Sequence, residues 1–199
     1  HVRHIVTVGR RFPFGGHSLA EIEALGAGAG PQLADTAPDE VAAILFTSGS
    51  TGVPKGVVYR HRHFVAQIDL LGSAFGIEPG GVDLPTFPPF ALFDPALGLT
   101  SVIPDMDPTR PAKADPKKLI AAIKEFGVGQ MFGSPALLDT LSRHGEQHGV
   151  TLPSLKRVTS AGAPVPFAVV QRMQAMLPAD AQIWTPYGAT ECLTVAVIE

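Results

Sequence analysis

Short apolar segments alternate with amphipathic helical segments along most of this chain, and this alternation constrains the fold more than any other feature. In the second half of the chain we predict strands near residues 99–103, 128–132, 157–160, 182–185 and 193–198, with helices at 116–126, 134–148 and 166–177. Strands that alternate with helices usually pair in parallel, because each helix returns the chain to the same end of the sheet. The predicted fold class is therefore α/β, a mostly parallel sheet with helices on both faces. Ligands of such sheets bind at the carboxyl ends of the strands.

The first half of the chain contains fewer elements. We predict strands at residues 4–8 and at Val41–Phe46, and helices at 18–25 and 61–75. Ser18 followed by Glu21 has the spacing of a capping box. The uninterrupted apolar run Val41–Phe46 predicts a strand that is buried on both faces. Residues 26–38 have the composition of a surface connection, and residues 84–97 form a stretch rich in Pro and Phe.

The composition is that of a globular protein, since 45% of the 199 residues are apolar and 17% are charged. The formal net charge of −3 argues against a nucleic-acid or anionic-membrane partner. The single cysteine, Cys192, excludes an internal disulfide and is typical of a cytoplasmic protein. No apolar run approaches the ~18 residues that a membrane-spanning helix requires.

A segment rich in glycine and hydroxyl groups, FTSGSTGVPKGV, occupies residues 46–57. Glycines let the backbone turn tightly, and successive N–H groups in such turns bind anions. Hydroxyl groups donate to phosphate oxygens, and a lysine adds a positive charge. We therefore predict a phosphate-binding loop formed by Thr47, Ser48, Gly49, Ser50, Thr51, Gly52 and Lys55.

The Walker A loop is the natural alternative, but its pattern does not fit this segment. That loop requires Gly-Lys followed by Ser or Thr, whose hydroxyl binds magnesium. Here Pro54 precedes Lys55 and Gly56 follows it, so the magnesium-binding hydroxyl is missing.

Two further motifs follow predicted strands: SAGAP at residues 160–164 and TPYGATE at residues 185–191. With the glycine-rich segment, and in this order, they resemble the adenylate-forming superfamily of acyl-CoA synthetases, luciferases and peptide-synthetase adenylation domains. The resemblance covers residues 39–199 and implies part of the large N-terminal AMP-binding domain of such an enzyme. Residues 1–38 then form a lead-in to which no function is assigned.

The resemblance implies a role for each motif. Lys55 and its loop embrace the ATP phosphates, and Thr190 contacts a phosphate. Tyr187, beside Gly188, stacks on adenine, and Glu191 helps to hold Mg²⁺, as suits a carboxylate and a hard cation. By this resemblance Lys55, Thr190 and Glu191 act in catalysis. The adenine pocket is lined by Ser160, Ala161, Gly162, Ala163 and Pro164.

The region of Phe87, Phe90 and Phe93 matches the acid-binding pocket of the superfamily. Many CoA ligases have a histidine after the Pro-x-Phe of this region, where this chain has Ala91. That departure weighs against a CoA thioester as the product. The segments GSTGVPKGVVYRHRHFVAQ, FALFDPALG and IPDMDPTRPA are similar to one branch of the superfamily, the β-lactone synthetases of bacterial long-chain olefin biosynthesis.

The resemblance thus implies a ligase that uses ATP and Mg²⁺ to convert a long-chain carboxylic acid to an acyl adenylate with release of pyrophosphate. In that branch the acid is a β-hydroxy acid, whose hydroxyl closes a lactone ring without CoA. A long-chain fatty acid–CoA ligase is an alternative, and a non-catalytic nucleotide-binding module is an alternative of another class. Besides the acid, the expected partners are enzymes of the same pathway or a second copy of the chain.

Other parts of such an enzyme are expected beyond residue 199. They are an aspartate that binds ribose and a catalytic lysine on a mobile C-terminal lid domain. The chain begins with neither Met nor a signal-peptide pattern and ends in a strand-like segment. We therefore expect a fragment of a longer protein, inactive on its own.

Overall fold

The computed structural model describes residues 3–9, 15–31, 33–47 and 52–198 and divides into two compact units, residues 1–37 and 38–199. In the first unit, strand β1 (Val6–Thr7) pairs in parallel with strand β2 (His17–Ser18), and helix α1 (Leu19–Gly26) follows. The predicted capping box is confirmed. The Glu21 N–H donates to Ser18 Oγ at 3.2 Å, and the Ser18 N–H donates to the Glu21 carboxylate at 2.7 Å.

The second unit begins with an antiparallel hairpin of strands β3 (Val41–Phe46) and β4 (Gly56–Arg60). The predicted strand Val41–Phe46 is present, but the prediction that it is buried on both faces is wrong. Ile44 is 54% exposed and Phe46 is 70% exposed. The physical reason is that β3 pairs with β4 in a separate two-stranded sheet, and not with the strands of the main sheet.

Helix α2 (His61–Phe75) has the predicted bounds. At its start the Arg60 N–H donates to His63 Nδ1 at 3.1 Å, which satisfies one of the backbone donors at the helix N-terminus. At its end Gly76 adopts a φ of 56°, the left-handed conformation that closes many helices. Phe75 packs edge-on against Trp184, with 5.7 Å between the ring centroids, so the end of α2 covers one face of the main sheet.

The main sheet has five parallel strands, which confirms the predicted fold class. Their order across the sheet is β6-β5-β7-β8-β9. In chain order they are β5 (Val82–Pro85), β6 (Thr100–Ser101), β7 (Gln130–Phe132), β8 (Arg157–Thr159) and β9 (Gln182–Trp184).

Three helices connect successive strands of this sheet: α3 (Pro116–Phe126), α4 (Pro135–His148) and α5 (Phe167–Met176). Because β6, β7, β8 and β9 follow one another in the same direction, right-handed connections place all three helices on the same face. In the described part of the chain, no helix is long and apolar enough to span a membrane.

The strand register sorts the side chains of the sheet onto two faces. On the α3–α5 face an apolar row crosses four strands and joins the main core: Leu84, Met131, Val158 and Ile183. On the α2 face a polar row crosses all five strands: Ser101, Asp83, Gln130, Arg157 and Gln182. The register therefore builds the core on one face and places polar groups on the other.

Strand β5 is not among the predicted strands, although it lies inside the sheet between β6 and β7. It is short, contains Asp83, and ends at Pro85, which has no N–H to donate. These features are typical of loops. Pairing with two strands that are distant in sequence makes the segment a strand.

The last described residues form a second antiparallel hairpin of strands β10 (Tyr187–Ala189) and β11 (Cys192–Ala196). The predicted final strand, residues 193–198, is thus present with slightly different bounds. It pairs within this hairpin and not with the main sheet.

Gly145 of α4 lies where a side chain would collide with Met176 of α5. A Cβ at this position would overlap the Met176 Sδ and lie 3.0 Å from its Cγ, and Met176 is only 3% exposed. Alanine favours a helix over glycine by up to ~1 kcal/mol, but the collision should dominate. We expect Gly145→Ala to lower the free energy of unfolding by about 1–3 kcal/mol, measured by thermal unfolding with circular dichroism.

Gly72 of α2 provides the matched control. Among the described residues, a Cβ there would contact only Leu97 Cδ2, at 3.7 Å. Gly72→Ala should raise the melting temperature, because no collision opposes the gain in helix propensity. An equal rise in melting temperature for Gly145→Ala and Gly72→Ala would show that the Met176 side chain moves aside freely.

Candidate active site

Strands β3 and β4 bring the two ends of the predicted phosphate-binding loop together. The Thr47 N–H donates to the Lys55 carbonyl at 3.0 Å, and the Lys55 N–H donates to Thr47 Oγ1 at 3.3 Å. Gly52 has a φ of 139°, which a residue with a side chain rarely adopts. The Lys55 side chain is exposed and can reach a ligand. The predicted loop residues Ser48, Gly49, Ser50 and Thr51 lie outside the described residues.

The two other predicted motifs meet around one groove of about 450 Å³ at the carboxyl ends of β8 and β9. This volume is in the range of small-molecule sites. The first motif contributes Ser160, Gly162, Ala163 and Pro164, and the second contributes Tyr187 and Gly188. The remaining residue of the first motif, Ala161, faces a neighbouring cavity.

Two features of this groove fit a nucleobase. Tyr187 is 70% exposed, which leaves an aromatic face free for stacking. Ser160 is only 1% exposed, and its Oγ has no hydrogen-bond partner among the described residues. Since buried hydroxyls are nearly always paired, this one is suited to a polar ligand atom.

Thr190 and Glu191 form the turn between β10 and β11, where Glu191 is exposed. The Thr190 carbonyl accepts a hydrogen bond from the hydroxyl of Tyr59 in β4. This bond connects the strand that follows the glycine-rich segment to the turn that carries the predicted metal ligand.

Glu191 offers a single carboxylate to a metal ion. The part of the chain that the structure describes contains no group of three or more His, Cys, Asp or Glu side chains placed to hold a metal. Magnesium at a nucleotide site needs no such cage, because one or two carboxylates and the substrate phosphates hold it together. A single carboxylate such as that of Glu191 is therefore compatible with a magnesium site completed by the phosphates of a nucleotide.

An apolar cavity of about 140 Å³ lies on the α2 face of the sheet. Phe90 and Phe93, predicted for the acid pocket, line it together with Phe75 and Phe132. The third predicted residue, Phe87, packs edge-on against Phe90 at 5.1 Å between centroids and is itself 46% exposed.

The cavity and the groove are neighbours. Pro186 lines both of them, and Ala161, which lines the cavity, lies between Ser160 and Gly162 of the groove. A ligand that occupied both spaces would therefore have an apolar part beside the phenylalanines and a polar part beside Tyr187.

Two buried carboxyl groups, Asp83 and Asp94, line the same cavity. They are 8% and 4% exposed. Asp94 accepts a hydrogen bond from Ser101, and Arg157 of the polar row donates to Gln130 Oε1 at 3.0 Å. These residues form a polar patch in an otherwise mainly apolar wall.

Burial raises the pKa of Asp83 to about 8, and the neighbouring Asp94 adds to the rise. Burial also raises the pKa of Asp94, while its hydrogen bond from Ser101 opposes the shift. Arg157 supplies a nearby positive charge, although burial lowers its own pKa. Because two adjacent buried carboxylates repel each other, we expect the pair to retain one proton at neutral pH.

Tyr59, Asp83 and Arg157 are not among the residues predicted from sequence. Asp83 lies in the unpredicted strand β5, and Arg157 meets it only through the register of the sheet. No local pattern connects such distant residues. For Tyr59 the sequence offers only a weak indication of a role in the site, namely that an aromatic residue follows soon after the glycine-rich segment.

Comparison with known proteins assigns the chain to a family. The sequence matches the family described as AMP-binding enzyme over residues 2–199. Over 98% of its length it is 71% identical to the olefin beta-lactone synthetase of Xanthomonas campestris pv. campestris, and equally to that of Stenotrophomonas maltophilia. The chain covers 34% and 35% of those two proteins, so it spans about a third of the length of the curated relatives it matches.

The fold is also found among solved structures. The complex of VinN with L-aspartate superposes with a TM-score of 0.77 over 97% of this chain and 52% of that one, at 20% sequence identity. At this identity the similarity concerns the fold alone.

The raised pKa of Asp83 should make the stability of the fold depend on pH. In the unfolded chain its pKa returns to the usual 3.8, so between about pH 4 and pH 8 the folded state holds a proton that the unfolded state has released. The contribution of this group to the free energy of unfolding is complete below about pH 4 and is lost as the pH rises through about 8. Asp83→Asn, which imitates the neutral carboxyl, should weaken this dependence and raise the melting temperature near pH 8 by about 3–8 °C.

Thermal unfolding of both proteins from about pH 5 to about pH 8 measures this effect. Asp94→Asn is the companion variant. It removes the neighbour that adds to the pKa rise of Asp83 and should therefore weaken the pH dependence less than Asp83→Asn does. Identical pH dependence in the wild type and Asp83→Asn would contradict a proton held by this pair.

Proposed function

Because the chain belongs to the family of AMP-binding enzymes, we propose that it forms the nucleotide-binding part of an enzyme that activates a carboxylic acid with ATP. In this reaction a carboxylate oxygen of the acid attacks the α-phosphorus of ATP in line. The bond from the α-phosphorus to the bridging oxygen breaks, and the products are an acyl adenylate and pyrophosphate.

The observation that carries this proposal is the adjacency of the groove and the apolar cavity at Pro186. Adenine would stack on Tyr187 in the groove, and the apolar chain of the acid would lie beside Phe90 and Phe93 in the cavity. The acid carboxylate would then lie near the α-phosphate. Such positioning of two reactants supplies a large part of the rate enhancement in reactions of this kind.

Both reactants are anions, so the site must supply positive field and hydrogen-bond donors. We assign this role to Lys55 and to the donors of the phosphate-binding loop, among which Thr47 is held at the base of the hairpin. Thr190 would contact a phosphate, and Ser160, Ala161, Gly162, Ala163 and Pro164 would surround the adenine. When bound, Mg²⁺ would offset the negative charge that develops on pyrophosphate, and Glu191 would hold it.

For the acid we propose a long-chain β-hydroxy acid. The identity of 71% to two olefin beta-lactone synthetases supports this choice. In a second step the β-hydroxyl oxygen would attack the acyl carbon, release AMP and lose its proton, which closes a four-membered lactone. This step needs no CoA, in agreement with Ala91 at the position where many CoA ligases have histidine.

The product distinguishes this proposal from its alternatives. We would incubate the full-length protein with ATP and Mg²⁺, and with either a long-chain β-hydroxy acid or a plain fatty acid plus CoA. Mass spectrometry should detect a β-lactone and AMP from the hydroxy acid without CoA. An acyl-CoA formed from the plain acid would instead identify a CoA ligase, and no AMP from either acid would indicate a non-catalytic module.

Lys55 provides a test of the phosphate-binding loop. Lys55→Ala should slow acid-dependent exchange of pyrophosphate into ATP by about 10- to 100-fold, because a positive charge near the phosphates is lost. The fold should be unchanged, since the Lys55 side chain is exposed. Lys124→Ala, at an exposed lysine of α3, is the matched control and should exchange at the wild-type rate. An unchanged rate in Lys55→Ala would show that the loop does not bind phosphate through this residue.

A further inference from the structure

Tyr59 connects two parts of the site that are far apart in sequence. It lies in β4, shortly after the glycine-rich segment, and it is only 3% exposed. Its hydroxyl donates to the backbone carbonyl of Thr190, a residue 131 positions further along the chain. Thr190 precedes Glu191, to which we assign the magnesium ion.

The ring of Tyr59 is held by aromatic neighbours. It stacks on Phe64 of α2, with 5.1 Å between centroids and 25° between planes, and meets the edge of His63 at 6.1 Å. Phe64 in turn contacts Phe93 of the apolar cavity at 6.0 Å. The ring of Tyr59 thus contacts two residues of α2, while its hydroxyl reaches the β10–β11 turn.

The surroundings keep the Tyr59 hydroxyl protonated. Burial raises its pKa above the usual value, and the Gln67 side chain opposes the shift. A protonated phenol is a hydrogen-bond donor, as the Thr190 carbonyl requires.

We propose that Tyr59 is a positioning residue that holds the Thr190–Glu191 turn in register with the strand following the phosphate-binding loop. A two-stranded hairpin such as β10–β11 is only marginally stable by itself, so its turn depends on contacts with the rest of the fold. The bond to Thr190 supplies such a contact next to Glu191. The inference rests on the proposed function, because it concerns the metal that accompanies ATP.

Tyr59→Phe tests this role, because it removes the hydroxyl and keeps the ring that packs on Phe64. In the full-length protein we would measure acid-dependent exchange of pyrophosphate into ATP as a function of Mg²⁺ concentration. The loss of one hydrogen bond should raise the Mg²⁺ concentration for half-maximal rate by about three- to tenfold. The KM for the acid and the rate at saturating Mg²⁺ should stay close to those of the wild type.

Two further variants separate positioning from packing. Thr140→Val removes a hydroxyl of α4 that lies within hydrogen-bond distance of the carbonyls of Ala112 and Ala136, away from the site, and it should leave the Mg²⁺ dependence unchanged. Phe64→Leu keeps the Tyr59 hydroxyl but weakens the ring stack. It should lower the melting temperature, and it should raise the Mg²⁺ concentration for half-maximal rate by less than Tyr59→Phe does.

A wild-type Mg²⁺ dependence in Tyr59→Phe, with the wild type active, would overturn the role of Tyr59 and leave the proposed function intact. A shift in Phe64→Leu as large as that in Tyr59→Phe would also overturn it, because ring packing would then position the turn. A wild-type protein without exchange activity for any acid would overturn the proposed function, and this inference with it.

Discussion

Burial of the apolar row against α3, α4 and α5 is the interaction on which the rest of the second unit depends. Leu84, Met131, Val158 and Ile183 form this row on four neighbouring strands of the sheet. The strands are too short to persist by themselves, so contact with the helices keeps them in register. A slip of one residue in any strand would exchange its apolar side chain for one of the opposite face. The register that buries the core thus also decides which side chains face the candidate site.

The candidate site lies on the opposite face of the sheet, which the three connecting helices leave to α2 and to the 3₁₀ turn at Pro88–Leu92. Between these elements and the sheet lies the apolar cavity, and beside it lies the groove. Burial of two carboxyl groups in such a wall would be unfavourable if both were charged. Asp83 and Asp94 are accommodated because one of them keeps its proton and because Ser101 and Arg157 offer a hydrogen bond and a positive charge.

Prediction from sequence succeeded where the signal is local. Helix α2 and helix α3 have the predicted bounds, and the capping box at Ser18 is present, because periodicity and cap residues are read from close neighbours. The adenine motifs are expected at strand ends, and the structure places them there, although their role in binding stays a prediction. Strand β5 was not predicted, and the predicted burial of β3 was wrong. In both cases the neighbours of a strand in the fold cannot be read from its own residues.

By itself, the sequence determined the α/β class, the positions of most helices, and the glycine-rich and TPYGATE motifs that indicate nucleotide chemistry. These properties depend on residues that are adjacent or one helical turn apart. Only the tertiary structure decided that Tyr59 bonds to Thr190, that Asp83 shares a cavity with Asp94, and that this cavity adjoins the groove. Each of these contacts depends on strand order and register, which the packing of the whole unit selects.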